Sequence, residues 1–195
     1  MEENKKINLT EKKRSNKLFD YKKFENDVFE HMKIVLQKWL GEHPDIYIFS
    51  LDCAREMESI GVMANTIQYL AEQANPDSDE YWYYKYCEEE WELDDWFKDI
   101  SANMELYLKE NHDIFTASET YEYLDPFDEH CDKVIESCQN ALIRFRTFIN
   151  GKHPDILLTF NIREYLDEET KIGIFRKIDD ENAVKEYADH IEDFL

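Results

Sequence analysis

Apolar residues recur along this chain at three- and four-residue steps, and elsewhere they crowd into short runs. Phe24, Val28, Met32, Val35, Leu36 and Trp39 share one helical face, which predicts a helix from Tyr21 to Leu40. Asp125-Pro126 is a helix start, with Pro at the first helical position. Ile135, Cys138, Leu142, Phe145 and Ile149 continue that helix on one face. Trp96, Phe97, Ile100 and Met104 predict another helix. Ile67, Leu70, Ala71 and Ala74 predict a short helix capped by Asn65 or Thr66. Val184, Tyr187, Ala188, Ile191 and Phe194 predict a last helix capped by Asp179 or Asp180. The run Ile46–Cys53 is apolar on both parities, as in an interior strand covered on both faces. A strand at Ser59–Ala64 follows it, and Asp155–Ile162 alternates as a strand. Tyr81–Cys87 reads as a strand from its aromatic composition, and Ile172–Phe175 as a shorter one.

One phrase occurs twice, 110 residues apart: Gly41-Glu42-His43-Pro44-Asp45-Ile46 and Gly151-Lys152-His153-Pro154-Asp155-Ile156. Each copy joins a predicted helix to a predicted strand. Gly suits the position after a helix end and Pro prevents its continuation. The fold class is therefore α+β, with two helix-Gly-x-His-Pro-Asp-strand units. The expected architecture is a single domain over 19–195, a mixed or antiparallel sheet of about five strands flanked by about four to six helices. Residues 1–18 read as a flexible basic arm.

Composition changes this picture in one respect. The chain of 195 residues carries a net charge of −22, and its first 24 residues hold eight Lys/Arg against four Asp/Glu. The remainder therefore carries −26. Such a body repels nucleic acid and anionic lipid and attracts basic partners, although solubility alone also accounts for acidity. The four cysteines form no CxxC pair and read as reduced thiols in a cytoplasmic protein. No signal peptide or membrane-length apolar run is evident.

The candidate chemistry is sparse. His43 and His153 hold equivalent places in the repeat, where a paired metal or proton site competes with a structural role in ending a helix. His130, Cys131 and Cys138 do not present a zinc set, because residues seven apart on a helix are about 10 Å apart. No metal and no cofactor is assigned, and no catalytic residue. The densest acidic run is Glu88-Glu89-Glu90-Trp91-Glu92-Leu93-Asp94-Asp95-Trp96. Its consecutive acids splay to different sides, which suits neither a calcium loop nor a catalytic pair. Its two tryptophans and the neighbouring Tyr83 and Tyr84 suit a binding surface, with aromatics as anchors and acids as steering groups. The partner-binding candidates are Tyr83, Tyr84, Glu88, Glu89, Glu90, Trp91, Glu92, Asp94, Asp95 and Trp96, joined by Tyr121 and Tyr123.

The order of these features resembles a bacterial domain-of-unknown-function family, number 4303. The resemblance rests on the helix leading to Tyr47-Ile48-Phe49-Ser50-Leu51, on Ala64-Asn65-Thr66 opening a helix, on Tyr83-Tyr84 followed by Glu90-Trp91, and on Pro154-Asp155-Ile156-Leu157-Leu158 as a late strand. It implies an α+β cytoplasmic protein without assigned catalysis, similar to the immunity proteins of polymorphic toxin systems. The expectation is a non-enzymatic inhibitor that binds a basic toxin or effector, with no direct nucleic-acid or membrane contact. An acidic nucleic-acid mimic and a carboxylate-based hydrolase are the alternatives. The oligomeric state is left open.

Overall fold

A computed structural model describes residues 18–117, 120, 122–162, 165–179 and 181–190. The expected basic arm, apart from Leu18, lies outside these residues, as do Tyr121, Ile191 and Phe194. The chain runs α1 (Tyr21–Glu42), β1 (Ile46–Cys53), β2 (Ile60–Thr66), α2 (Ile67–Gln73), α3 (Tyr81–Tyr86), a 3-10 turn (Glu88–Glu90), β3 (Leu93–Trp96), α4 (Lys98–Glu110), α5 (His112–Phe115), α6 (Asp125–Ile149), β4 (Leu157–Ile162), α7 (Glu168–Ile178) and α8 (Glu181–Asp189). The strands form one open mixed sheet in the order β3-β2-β1-β4. β1 pairs antiparallel with β2 and parallel with β4, while β3 pairs antiparallel with β2.

The long helices α1 and α6 pack together on the first face of the sheet. Phe49, Leu51 and Cys53 of β1, Val62 and Ala64 of β2, and Leu158, Phe160 and Ile162 of β4 meet Met32, Leu36, Leu142 and Phe145 in the main core. Each ring or branched chain buried there contributes roughly 1.5–3 kcal/mol. The second face carries the opposite parity. Ile48 and Met63 there meet Tyr86 and Trp91, then Phe175 of α7 and Val184 and Tyr187 of α8, in a smaller apolar cluster. Both faces of β1 are thus covered, and its burial is nearly unbroken.

Several expectations are corrected by this arrangement. The sheet has four strands among the described residues, not five, and eight α-helices surround it. Tyr81–Cys87 is not a strand: Tyr84 N–H donates to Glu80 C=O at 3.2 Å and Cys87 N–H to Tyr83 C=O at 2.8 Å. The turn places Trp82 and Tyr86 on one side, with rings stacked 6.1 Å apart, and packing overrides the aromatic strand propensity. Ile172–Phe175 lies inside α7, whose start is capped by Asp167 accepting from Thr170 N–H at 2.7 Å. A short apolar run fits either period, and here Ile174, Phe175 and Ile178 make a helical stripe. Trp96 belongs to β3 rather than to the helix of Ile100 and Met104, which begins at Lys98.

The repeated phrase also behaves differently from its reading. Gly41 sits inside α1, and no described glycine adopts positive φ. The histidines close the last turns instead. His43 N–H donates to Trp39 C=O at 2.6 Å, and His153 N–H donates to Ile149 C=O at 2.8 Å. Positive φ occurs at Met57 (57°), in the β1–β2 turn, where its fully buried side chain holds the backbone in place.

Candidate functional site

The acidic run folds as an irregular segment laid across the second face, and burial sorts its residues. Tyr86, Glu88 and Trp91 point inward and are buried. Glu89, Glu92, Asp94 and Trp96 are exposed, and Tyr83, Tyr84, Glu90 and Asp95 are half-buried. Two of the candidates, Glu88 and Trp91, are therefore anchors of the segment and not part of its surface. The segment is tied down by hydrogen bonds: Tyr83 Oη donates to Glu90 Oε1 at 3.0 Å and Thr66 Oγ1 to Glu92 Oε2 at 3.1 Å. Asn65 Nδ2 donates to Tyr84 C=O at 3.4 Å.

At the end of the segment, β3 forms one edge of the sheet. Asp94 and Trp96 share the second face, opposite Met63 and Gly61 in the register. The Trp96 ring lies on Gly61, so closely that a Cβ there would fall 3.0 Å from the indole and 2.8 Å from Asp95 C=O. The indole is still 37% exposed. Beside the other end of the segment, Glu92 joins Glu42, His43, Asp45, Tyr69 and Glu72 around a hollow of about 390 Å³. Here Asp45 Oδ2 accepts from Gln68 N–H at 2.8 Å. Sequence reasoning missed Glu42, Asp45 and Glu72, because it takes the β1–β2 and β2–β3 pairings together to bring them beside Glu92.

Tyr123 stands apart from this segment in its contacts. It pairs through a single bridge with Thr116 and stacks on Phe127 at 3.9 Å. It lines a different cleft, of about 610 Å³, with Glu56, Lys109, His112 and Asp113.

Under the acidic segment the sheet is polar. The register sets Ser50 beside Thr159 and Asp52 beside Asn161 on the second face, and all four are buried. Glu88 faces Ser50 and Asp52 and is itself buried. Burial pushes its pKa up to about 7. Its own backbone N–H, the Lys171 ammonium and the Ser50 hydroxyl work against that rise, and Asp52 adds to it. Trp91 Nε1, Thr159 Oγ1 and Asn161 Oδ1 are buried and make no hydrogen bond among the described residues.

His130 is enclosed by Phe19, Tyr21, Tyr107 and Phe115, with ring centroids 5.0–5.8 Å away. Its Nδ1 pairs with Tyr21 Oη at 2.9 Å. Burial, aided by Lys133, lowers its pKa to about 4. Cys131 and Cys138 are packed in the main core. Among the described residues no group of three or more His, Cys, Asp or Glu side chains is placed to hold a metal ion. None of the described helices is long and apolar enough to cross a membrane.

The fold and this surface define a class: an α+β domain with a four-stranded mixed sheet that carries an acidic, tryptophan-bearing segment at one edge. The chain belongs to the family described as Domain of unknown function (DUF4303), which matches residues 30–182. That span takes in every element from most of α1 to the first residues of α8, the acidic segment included. No curated protein and no solved structure matches the chain.

Proposed function

We propose that this protein is a non-catalytic binding protein of the immunity type, which neutralises a basic protein partner. The observation that carries the reading is the clustering of exposed charge. Glu89, Glu92 and Asp94 are exposed on one segment that also carries the exposed Trp96, and Glu92 borders a hollow edged by Glu42, Asp45 and Glu72. The ring offers desolvated contact area, and the carboxylates raise the encounter rate with a basic surface. A body charge of −26 outside the first 24 residues extends that attraction over the molecule.

A carboxylate-based hydrolase is the second reading, favoured by the pairing of Asp52 with the proton-holding Glu88. It is the weaker one, because Asp52 is 0% and Glu88 8% exposed, and a substrate must reach the groups that act on it. The test is co-expression with the C-terminal segment of the protein encoded next to this one. Rescue of growth together with a co-purifying, salt-sensitive complex supports the binding reading. Toxicity without rescue, or a complex indifferent to Glu89→Lys/Glu92→Lys/Asp94→Lys, counts against it.

A further inference from the structure

The acidic segment is held to the sheet by two kinds of anchor. Tyr86 and Trp91 are apolar anchors in the second-face cluster, while Glu88 between them is a buried carboxylic acid set against Ser50 and Asp52 of β1. Apolar anchors hold at any pH. A buried carboxyl holds well only while it carries its proton, since enclosing the carboxylate is costly unless cations meet it.

The groups facing Glu88 leave that cost largely unmet. β1 contributes the Ser50 hydroxyl and the Asp52 carboxyl, the second of which repels a charge on Glu88. On β4 the neutral Thr159 and Asn161 lie beside Ser50 and Asp52 in the register and bring no cation. α8 contributes the Tyr187 phenol, and the segment itself the Cys87 thiol, both of which interact unfavourably as anions. The cation facing it is Lys171 of α7, which acts through space and is itself half-exposed.

We propose that Glu88 is a proton-dependent latch that docks residues 87–92 on the sheet most firmly in acid and loosens them progressively as pH rises through neutrality. The inference concerns the segment's own opening equilibrium and stands whether or not the binding reading above is right. The sign follows from the direction of the shift. The docked state binds the Glu88 proton more tightly than the open state, so opening is favoured once that proton is lost. With the docked value near 7 and a solvated value of 4.5, the opening constant rises about tenfold between pH 6 and pH 8.

Amide hydrogen exchange reads this directly. The Glu90 N–H donates to Cys87 C=O at 3.1 Å and the Trp91 N–H to Glu88 C=O at 3.3 Å, so both report on the docked turn. Their protection factors, corrected for intrinsic exchange, are expected to fall about tenfold over that pH range, from a level below that of the β1 and β4 amides. Glu88→Gln, which keeps the shape and cannot ionise, is expected to flatten the dependence. Lys171→Met, which removes the facing cation, is expected to move the transition to higher pH and serves as the second variant. Protection of Glu90 and Trp91 that does not change with pH, or that falls equally in Glu88→Gln, overturns the latch.

Discussion

The Asp179 carboxylate, at the end of α7, accepts from the Arg146 guanidinium on α6 and from the Leu158 N–H of β4, the latter at 2.9 Å. One side chain thus joins two helices to the outer strand of the sheet. The two side chains are 7% and 10% exposed, so neither charge is solvated if the other is lost. Arg146 Nη2 also donates to Ile156 C=O at 2.7 Å, which fixes the entry to β4. Asp179→Ala is expected to cost about 3–5 kcal/mol in urea unfolding, because it strands a buried cation. The double variant Asp179→Leu/Arg146→Met is expected to recover much of that loss. A loss under 1 kcal/mol for the single variant contradicts this account.

Two buried groups oppose each other in acid. Glu88 is raised from 4.5 to about 7, so its contribution is full below 4.5 and is lost as pH rises through 7. His130 is lowered from 6.5 to about 4, so its contribution is full above 6.5 and is lost as pH falls through 4. Each spans about 3 kcal/mol, with opposite slopes over the same window. Global stability is therefore expected to be nearly flat between pH 4.5 and 6.5 so far as these two groups govern it. Glu88→Gln should unmask a steep loss on acidification, and His130→Gln should unmask a gain. Denaturation curves of both variants at three pH values decide the point, and parallel pH profiles for all three proteins would refute it.

Gly61 has no room for a methyl group, with Asp95 C=O on one side and the Trp96 indole on the other. Gly61→Ala is expected to push β3 off the sheet edge, costing about 1–3 kcal/mol and shifting the Trp96 emission. Unchanged fluorescence and stability would show that β3 yields without cost.

The two tryptophans of the acidic segment should separate stability from binding. Trp91 is 8% exposed within the second-face cluster, and Trp91→Ala is expected to cost about 3–5 kcal/mol. Trp96→Ala leaves the main core intact and should chiefly weaken partner binding, by tenfold or more on the hot-spot scale of about 2 kcal/mol. Thermal melts and titration with the co-purified partner distinguish the two. Equal destabilisation by both changes would place Trp96 in the same structural role as Trp91.

The long elements were legible in the sequence because each carries enough turns for its period to show. α1 and α6 declare themselves through Phe24 to Trp39 and Ile135 to Ile149, and β1 through its double-sided apolarity. The short elements were misread where one run satisfies two periods. Tyr81–Tyr86 has the composition of a strand, yet Trp82 stacked on His190 at 3.6 Å and Tyr86 on the sheet require a helical turn. The candidate surface was visible as charge and aromatic content. Which of its residues turn inward was not, since adjacent acids such as Glu88 and Glu89 differ only in what the sheet beneath offers them.

The edge position of β3 has a consequence for self-association. An uncovered strand is a template for a second copy of itself, and proteins blunt such edges with shortness and charge. β3 is four residues long and half of it is aspartate. Two copies meeting edge to edge would set Asp94 and Asp95 against their own images, whereas a chain rich in lysine or arginine would meet no such repulsion. β3, as an edge strand, is thus built against homotypic fibre growth.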